Sequence, residues 1–341
     1  MRIAVVGAGS WGTALSVLAA RAGHEVSLWT RDASHALDIN RERRNTRHLV
    51  AHPLPVTISV TADLEEALDK AKIIVLALPS HATREVVRLL SPALPSMPIV
   101  VGATKGIEVD SLKRISEIVA EELLPACYEG FVALSGPSFA EEVAADQPTA
   151  VVAASLNAEA CEAVQRAFSY GNFRIYTNTD LAGVELCGAA KNTFALAAGM
   201  CAGLGLGSNS VAALITRGLA EMTRLAVGYG AQAETLMGLA GLGDLVLTCT
   251  GRLSRNRHVG EELGRGKRLD DVLGAMNEVA EGVRTTVAIS KLAAEKKIDM
   301  PITEEVFRVL YENKPVADAI GELMKRPLKE EFAAEARNAN R

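Results

Sequence analysis

Up to Thr179, short runs of β-branched and aliphatic residues alternate with longer stretches in which apolar positions recur every three or four residues. That alternation is the signature of strand–helix–strand units and a parallel sheet. It predicts strands at 2–7, 24–29, 56–60, 73–78, 99–103, 130–134, 149–153 and 173–177, and helices at 11–22, 63–70, 82–91, 111–122 and 157–168. The run IIVLAL at 73–78 is apolar without interruption, as a strand covered on both faces should be. The polar, basic stretch from Arg31 to His48 reads as a helix and then a loop, and Pro92, Pro95 and Pro98 punctuate the connection before 99–103.

After Thr179 the pattern changes to one that is nearly all helical in period. The chain of 341 residues therefore divides into a region 1–180 and a helical region 181–330, with Asp180 placed to cap the first long helix. Between Leu181 and Met200 the charged residues are Glu185 and Lys191 alone. A lysine at the middle of a membrane span costs about 2.5 to 3.5 kcal/mol, and Gly183, Gly188 and Gly199 dilute the apolar run, so a buried helix is expected rather than stable membrane insertion. The terminal KEEFAAEARNAN is charged and is expected to be exposed.

Composition narrows the function. Lys and Arg total 36 against 41 Asp and Glu, a net charge of −5, which leaves no general positive field for a polyanion such as nucleic acid. Cys127, Cys161, Cys187, Cys201 and Cys249 form no CxxC pair and read as reduced core thiols. The six histidines show no HExxH or paired spacing, so no metal is expected. MRIAVVGAG runs directly into a strand without the three regions of a signal peptide, which leads to the expectation of a cytoplasmic protein.

The strongest local motif is Gly7-Ala8-Gly9-Ser10-Trp11-Gly12, a complete GxGxxG between a predicted strand and a predicted helix. Gly7 suits the tight turn, Gly9 the approach of a pyrophosphate to the backbone, and Gly12 close packing of helix on strand, with the helix N-terminus facing the negative charge. The expected fold is α/β: an N-terminal Rossmann-like doubly wound sheet binding NAD(P), followed by an all-helical C-terminal domain. At the end of the second strand the chain reads Trp29-Thr30-Arg31-Asp32. Arg31 can face the 2′-phosphate of NADP, so NADP is expected to bind at least as well as NAD.

Lys191 lies in a helix otherwise made of Ala, Leu, Gly and Cys, where a lysine is seldom present for packing. Glu185 is six positions away, about 240° round the helix, so the ammonium must be satisfied from outside it. Partial desolvation lowers a lysine pKa, as a general base near neutral pH requires. Asp244, in a Gly-rich turn, could orient Lys191, with Thr248 one helical turn on; Arg255, within Ser254-Arg255-Asn256-Arg257, offers a forked guanidinium for a phosphate. Lys105 and Gly136-Pro137-Ser138-Phe139 come just after strands on the carboxyl edge, where open α/β sheets bind ligands. His81 beside Ser80 lacks a GxSxG elbow, which argues for a loop or cofactor-facing role.

With these positions assembled, the chain resembles the bacterial NAD(P)-dependent glycerol-3-phosphate dehydrogenases over residues 2 to 325. The resemblance is carried by GAGSWGTAL (7–15), LPSHA (78–82), ATKGIE (103–108), LSGPSFAEE (134–142), ELCGAAKNTFALAAG (185–199), GLGDLVLTCTGRLSRN (241–256) and EGVRTT (281–286). It implies interconversion of dihydroxyacetone phosphate and sn-glycerol 3-phosphate with NADPH/NADP or NADH/NAD, a role in phospholipid biosynthesis, and a homodimer. It makes Lys191 the proton acceptor, with Asp244 and Thr248 beside it. Lys105, Gly136, Ser138, Ser254, Arg255 and Asn256 match substrate-contacting positions. Ser10, Trp11, Arg31, Lys105, Ala140, Arg255, Val279 and Glu281 match cofactor-contacting ones, and His48 stands where the family usually carries an aromatic residue. A 6-phosphogluconate or β-hydroxyacid dehydrogenase is the nearest alternative, and GLGDLVLTCTG with SRN after it speaks against it. A cofactor-binding sensor would have no need of Lys191, Asp244 and Arg255 together.

Overall fold

The structure, a computed structural model, describes residues 1–276, 279–328 and 330–331. The strands are β1 (Arg2–Val6), β2 (Glu25–Trp29), β3 (Arg44–Asn45), β4 (Leu49–Pro53), β5 (Ile58–Thr61), β6 (Ile73–Leu76), β7 (Ile99–Gly102), β8 (Gly130–Ser135), β9 (Thr149–Ala154) and β10 (Phe173–Asn178). Among the described residues they form an eight-stranded sheet in the order β10-β9-β8-β7-β6-β1-β2-β5 and a two-stranded hairpin of β3 with β4. From β5 to β8 all neighbours are parallel, while β9 runs antiparallel to β8 and parallel to β10. The chain leaves β1 towards β2 and β5 on one side, then returns to build β6, β7 and β8 on the other. That reversal leaves a crevice beyond the carboxyl ends of β1 and β6.

Strand residues alternate between two cores. Ile3, Val5, Val75 and Val101 face a layer containing the helices Ser10–Arg21 and Ala158–Phe168. Ala4, Val6, Ile74 and Leu76 face the other layer, whose apolar core continues without a break through Val184, Phe194 and Leu245 into the helical region. The predicted elements are present with small shifts at their ends. One helix starts at Ile115 rather than Ser111, because Leu112 takes a left-handed φ of 59° and Ile107 pairs with Arg114. The stretch 31–48 contains a helix, Ala33–Glu42, but the residues after that helix form the β3–β4 hairpin, not a loop. The hairpin's apolar content is too low for a period-two signal, and Asn45 holds it in place.

Asp180 accepts a hydrogen bond from the Gly183 N–H (2.8 Å), capping the helix Leu181–Gly203 as its sequence position predicts. Apart from Glu185, Lys191, Asn192 and Thr193 this helix is apolar all round, and it is buried among the helices Ser208–Gly228, Asp244–Thr250, Arg255–Gly264 and Glu281–Glu295. Its glycines serve contact: a Cβ at Gly199 would lie 1.9 Å from the Arg257 carbonyl oxygen, and one at Gly203 2.2 Å from that of Glu261. Across the crossing, a Cβ at Gly260 would lie 1.9 Å from the Leu196 carbonyl oxygen and one at Gly264 2.4 Å from that of Met200. Backbone therefore meets backbone on both sides. Among the described residues, no single helix is long and apolar enough to cross a membrane.

Candidate active site

A cleft of about 700 Å³ opens where the carboxyl ends of the strands meet the helical region. At its floor, Gly7 adopts a φ of 118° and donates its N–H to the Trp29 carbonyl (3.0 Å). A Cβ there would approach the Ala77 carbonyl oxygen to 2.4 Å, and one at Gly12 would approach the Gly7 carbonyl oxygen to 1.9 Å. Gly9 differs: a Cβ there would meet nothing within 4 Å, since the residue faces the open cleft. The helix Ser10–Arg21 begins here with no acidic residue in its first turn and no side-chain cap, an arrangement open to an anion. The buried Trp11 Nε1 finds no acceptor among the described residues. The cradle thus fits a dinucleotide in three respects: the turn, the open Gly9 face and the uncapped helix end.

Thr30, Arg31, His35 and His48 form one end of the cleft. The hairpin reaches it because Asn45 donates to the Ala8 carbonyl and to Thr13 Oγ1, both at 2.8 Å, while Ser10 Oγ donates to the His48 carbonyl (2.9 Å). His48 meets His35 edge to face, with ring centroids 5.7 Å apart, and burial pushes the His35 imidazole below its usual pKa. Asp32 is turned to other work as the N-cap of Ala33–Glu42, where it accepts from the His35 N–H (3.0 Å).

The centre of the cleft carries the charge. Lys191 is 5% exposed, and its Nζ donates to Asp244 Oδ1 (2.6 Å) and Thr248 Oγ1 (2.9 Å). The partner from outside the helix is therefore Asp244, whereas Glu185 pairs with Arg114 (2.9 Å) and accepts from Ser116. Lys105 Nζ donates to the other Asp244 oxygen, Oδ2 (2.9 Å), to the Gly136 carbonyl (2.8 Å) and to Ser138 Oγ (3.2 Å). Burial pushes Lys191 down to about 8; Asp244 opposes that shift and the like charge of Lys105 adds to it. Burial alone would raise Asp244, but the two ammonium groups outweigh it and hold the carboxyl below its usual range.

Beside this cluster, Ser254 caps the helix Arg255–Gly264 by accepting from the Arg257 N–H (3.2 Å), and Arg255 and Asn256 stand in its first turn on the cleft wall. Asn256 donates to Asn192 Oδ1 (2.9 Å) and accepts from the Gly282 N–H (2.9 Å). Ala140 and Val279 also line the cleft, as does Glu281, whose carboxylate accepts from the N–H (3.0 Å) and hydroxyl (2.7 Å) of Ser80. Of the substrate, cofactor and catalytic positions predicted from the sequence, only Gly12 and Gly136 are absent from the walls, the first packed under the glycine turn and the second holding Lys105 through its carbonyl. The sequence reading weighs Ser80 only to set aside a nucleophile role, and it does not single out Asn192. Asn192 is a further polar residue in the same helix, immediately after Lys191, and that adjacency is the signal that could have found it.

A dinucleotide cradle at a topological switch point, ending on a buried lysine–carboxylate cluster, defines a two-part pyridine-nucleotide-dependent oxidoreductase. The family models for the N-terminus and C-terminus of NAD-dependent glycerol-3-phosphate dehydrogenase match residues 2–161 and 180–321. The chain belongs to that family. It is 52% identical over 330 residues to the glycerol-3-phosphate dehydrogenase [NAD(P)+] of Geobacter sulfurreducens, covering 97% of this chain and 98% of the relative, and 50% identical over the same coverage to that of Geobacter sp. strain M21. The crystal structure of the Coxiella burnetii glycerol-3-phosphate dehydrogenase is similar with a TM-score of 0.92 at 42% identity, covering 95% of this chain and 99% of that one.

Proposed function

We propose that this protein interconverts dihydroxyacetone phosphate and sn-glycerol 3-phosphate with NADPH/NADP or NADH/NAD. The observation that carries the reading is the Lys191–Asp244–Lys105 cluster, placed between the dinucleotide cradle and the helix end that bears Arg255. Region 1–180 holds the cofactor through the Gly7–Gly12 turn, Ser10, Trp11, Arg31, His48 and Ala140, with Val279 and Glu281 of region 181–330 closing the wall. Region 181–330 supplies Lys191, Asp244, Thr248 and the substrate contacts Ser254, Arg255 and Asn256. Bound in the cradle, the nicotinamide supplies the hydride or accepts it.

The remaining chemistry falls to the side chains. Arg255, with the helix N-terminus behind it, holds the substrate phosphate, and Lys105, Ser138 and Asn256 orient the three-carbon body. Energy from the phosphate contact is thereby used to place C2 for reaction. Lys191 donates a proton to the C2 oxygen during reduction and removes it during oxidation, and its charge stabilises alkoxide character on that oxygen. Asp244 and Thr248 fix the Nζ. The enzyme acts in the cytoplasm as a homodimer, and its product is the glycerol backbone of phospholipids.

The test is cofactor oxidation measured by absorbance, with dihydroxyacetone phosphate, 3-dehydro sugar acids and β-keto acids offered in parallel to NADPH and NADH. Rapid oxidation with dihydroxyacetone phosphate alone is expected. Silence with that substrate, while the cofactor still binds, would overturn the assignment.

A further inference from the structure

An acidic residue at the end of the second strand of a dinucleotide fold ordinarily takes the ribose hydroxyls and repels a 2′-phosphate. This chain places Arg31 and Asp32 together at that point, so one of the two must be removed from the cofactor edge for the other to act. Capping accounts for half of the Asp32 carboxylate: Oδ1 accepts from the His35 N–H (3.0 Å) and the Ser34 hydroxyl (2.7 Å). An N-cap uses one oxygen, and the second would still be available to a ribose. Here that second oxygen, Oδ2, is occupied by Arg47 Nη1 at 2.6 Å.

Arg47 does not reach Asp32 from the same element. It stands in the turn of the β3–β4 hairpin, where its N–H donates to Asn45 Oδ1 (3.3 Å), and Asn45 is anchored to Ala8 and Thr13 in the glycine turn and its helix. The guanidinium is thus delivered by a segment whose position is set by the cofactor cradle itself. Arg31 and His48 line the cleft; Asp32 does not.

We infer that Arg47 is a specificity-determining residue: by holding the second Asp32 oxygen, it keeps the adenosine end of the cleft open to a 2′-phosphate and sets the affinity for NADPH relative to NADH. The inference rests on the dinucleotide reading given under Proposed function. Removing the guanidinium frees a carboxylate that attracts the ribose diol of NADH and opposes the phosphate of NADPH.

The experiment measures NADPH and NADH dissociation constants by quenching of tryptophan fluorescence in the full-length protein. Three variants are compared with the parent: Arg47→Met, Asp32→Asn, and both together; Asn caps a helix as well as Asp, so the helix start is kept. Arg47→Met is expected to shift the NADPH-to-NADH affinity ratio about fivefold towards NADH, what one exposed charge contact is worth at its upper range. Adding Asp32→Asn is expected to restore most of that ratio. An unchanged ratio in Arg47→Met would overturn the inference, and so would a shift that persists in the double variant, since Arg47 would then act on the phosphate directly. Failure of the parent to bind either dinucleotide would instead refute the reading beneath it.

Discussion

Lys105 and Lys191 hold opposite oxygens of one buried carboxylate, at 2.9 and 2.6 Å from Asp244 Oδ2 and Oδ1. They come from different halves of the chain, one just after β7 and the other inside the helix Leu181–Gly203. Two cations share a single anion, so the cluster carries surplus positive charge when Lys191 is protonated and is neutral when it is not. A carboxylate pinned in this way stays ionised and is a poor proton carrier. Lys191 is left as the group whose charge can change.

Replacing Lys191 by Ala should lower turnover by about 10²- to 10⁴-fold, the range for loss of a general acid or base. Asp244 keeps Lys105 as a partner, so the fold and NADPH binding should survive. Steady-state kinetics together with a binding titration would check this, and turnover within a few-fold of the parent would remove Lys191 from the mechanism.

Because burial sets Lys191 near 8, the two directions should have mirrored pH dependence. Oxidation of glycerol 3-phosphate needs the neutral amine and should rise as pH passes through about 8, whereas reduction needs the ammonium and should fall there. Lys105→Met removes the like charge that helps lower Lys191, so the surviving activity should show that limb at higher pH. Coincident profiles in parent and variant would contradict the electrostatic account.

Glu221 tests linkage away from the cleft. It is buried, accepts from the Ile302 N–H (2.8 Å) and the Thr303 N–H (3.2 Å), and so caps the helix Pro301–Tyr311, with burial pushing its carboxyl up to about 7. A folded-state pKa above the unfolded one means that the native state binds the extra proton. Its contribution is complete below the unfolded value of about 4.5 and is lost as pH rises to about 7. Urea denaturation should show that loss, about 1 to 3 kcal/mol, and Glu221→Gln should flatten the slope in this window. A slope unaffected by the substitution would place the titration elsewhere.

Gly260→Ala should destabilise by about 2 kcal/mol or more, because the new methyl meets the Leu196 carbonyl and neither backbone can yield. Thermal melting should register a fall of several degrees. Gly266→Ala has open space around it but a φ of 89°, so its cost should come from backbone strain alone and be smaller.

Much of this architecture can be read in the chain before folding, for identifiable reasons. The glycine turn is local: three glycines between a strand run and a helix run carry both conformation and role. Lys191 stands out because its surroundings are apolar, which is also a local property. The reversal of β9 against β8 is not local, since an apolar run has no direction written in it and the sense depends on the path of the connection 136–148, which includes the helix Ala140–Ala144. The hairpin is hidden for another reason, as Asn45, His48 and Pro53 do not alternate in polarity and their placement depends on hydrogen bonds to Ala8 and Thr13. Glu281 can be flagged as a site residue, yet its partner Ser80 lies 201 positions earlier and only folding brings them together.

The glycine-lined crossing of the helices Leu181–Gly203 and Arg255–Gly264 acts as a ruler. Side chains that interlock can slip by a rotamer, but two main chains in direct contact have no such freedom. Lys191 rides on one of these rods, and Ser254 and Arg255 stand at the start of the other. The interval between the Lys191 ammonium and the Arg255 end is thus set by main-chain contact, and with the roles proposed for these two residues a substrate one carbon longer would present its reacting oxygen out of step with the ammonium.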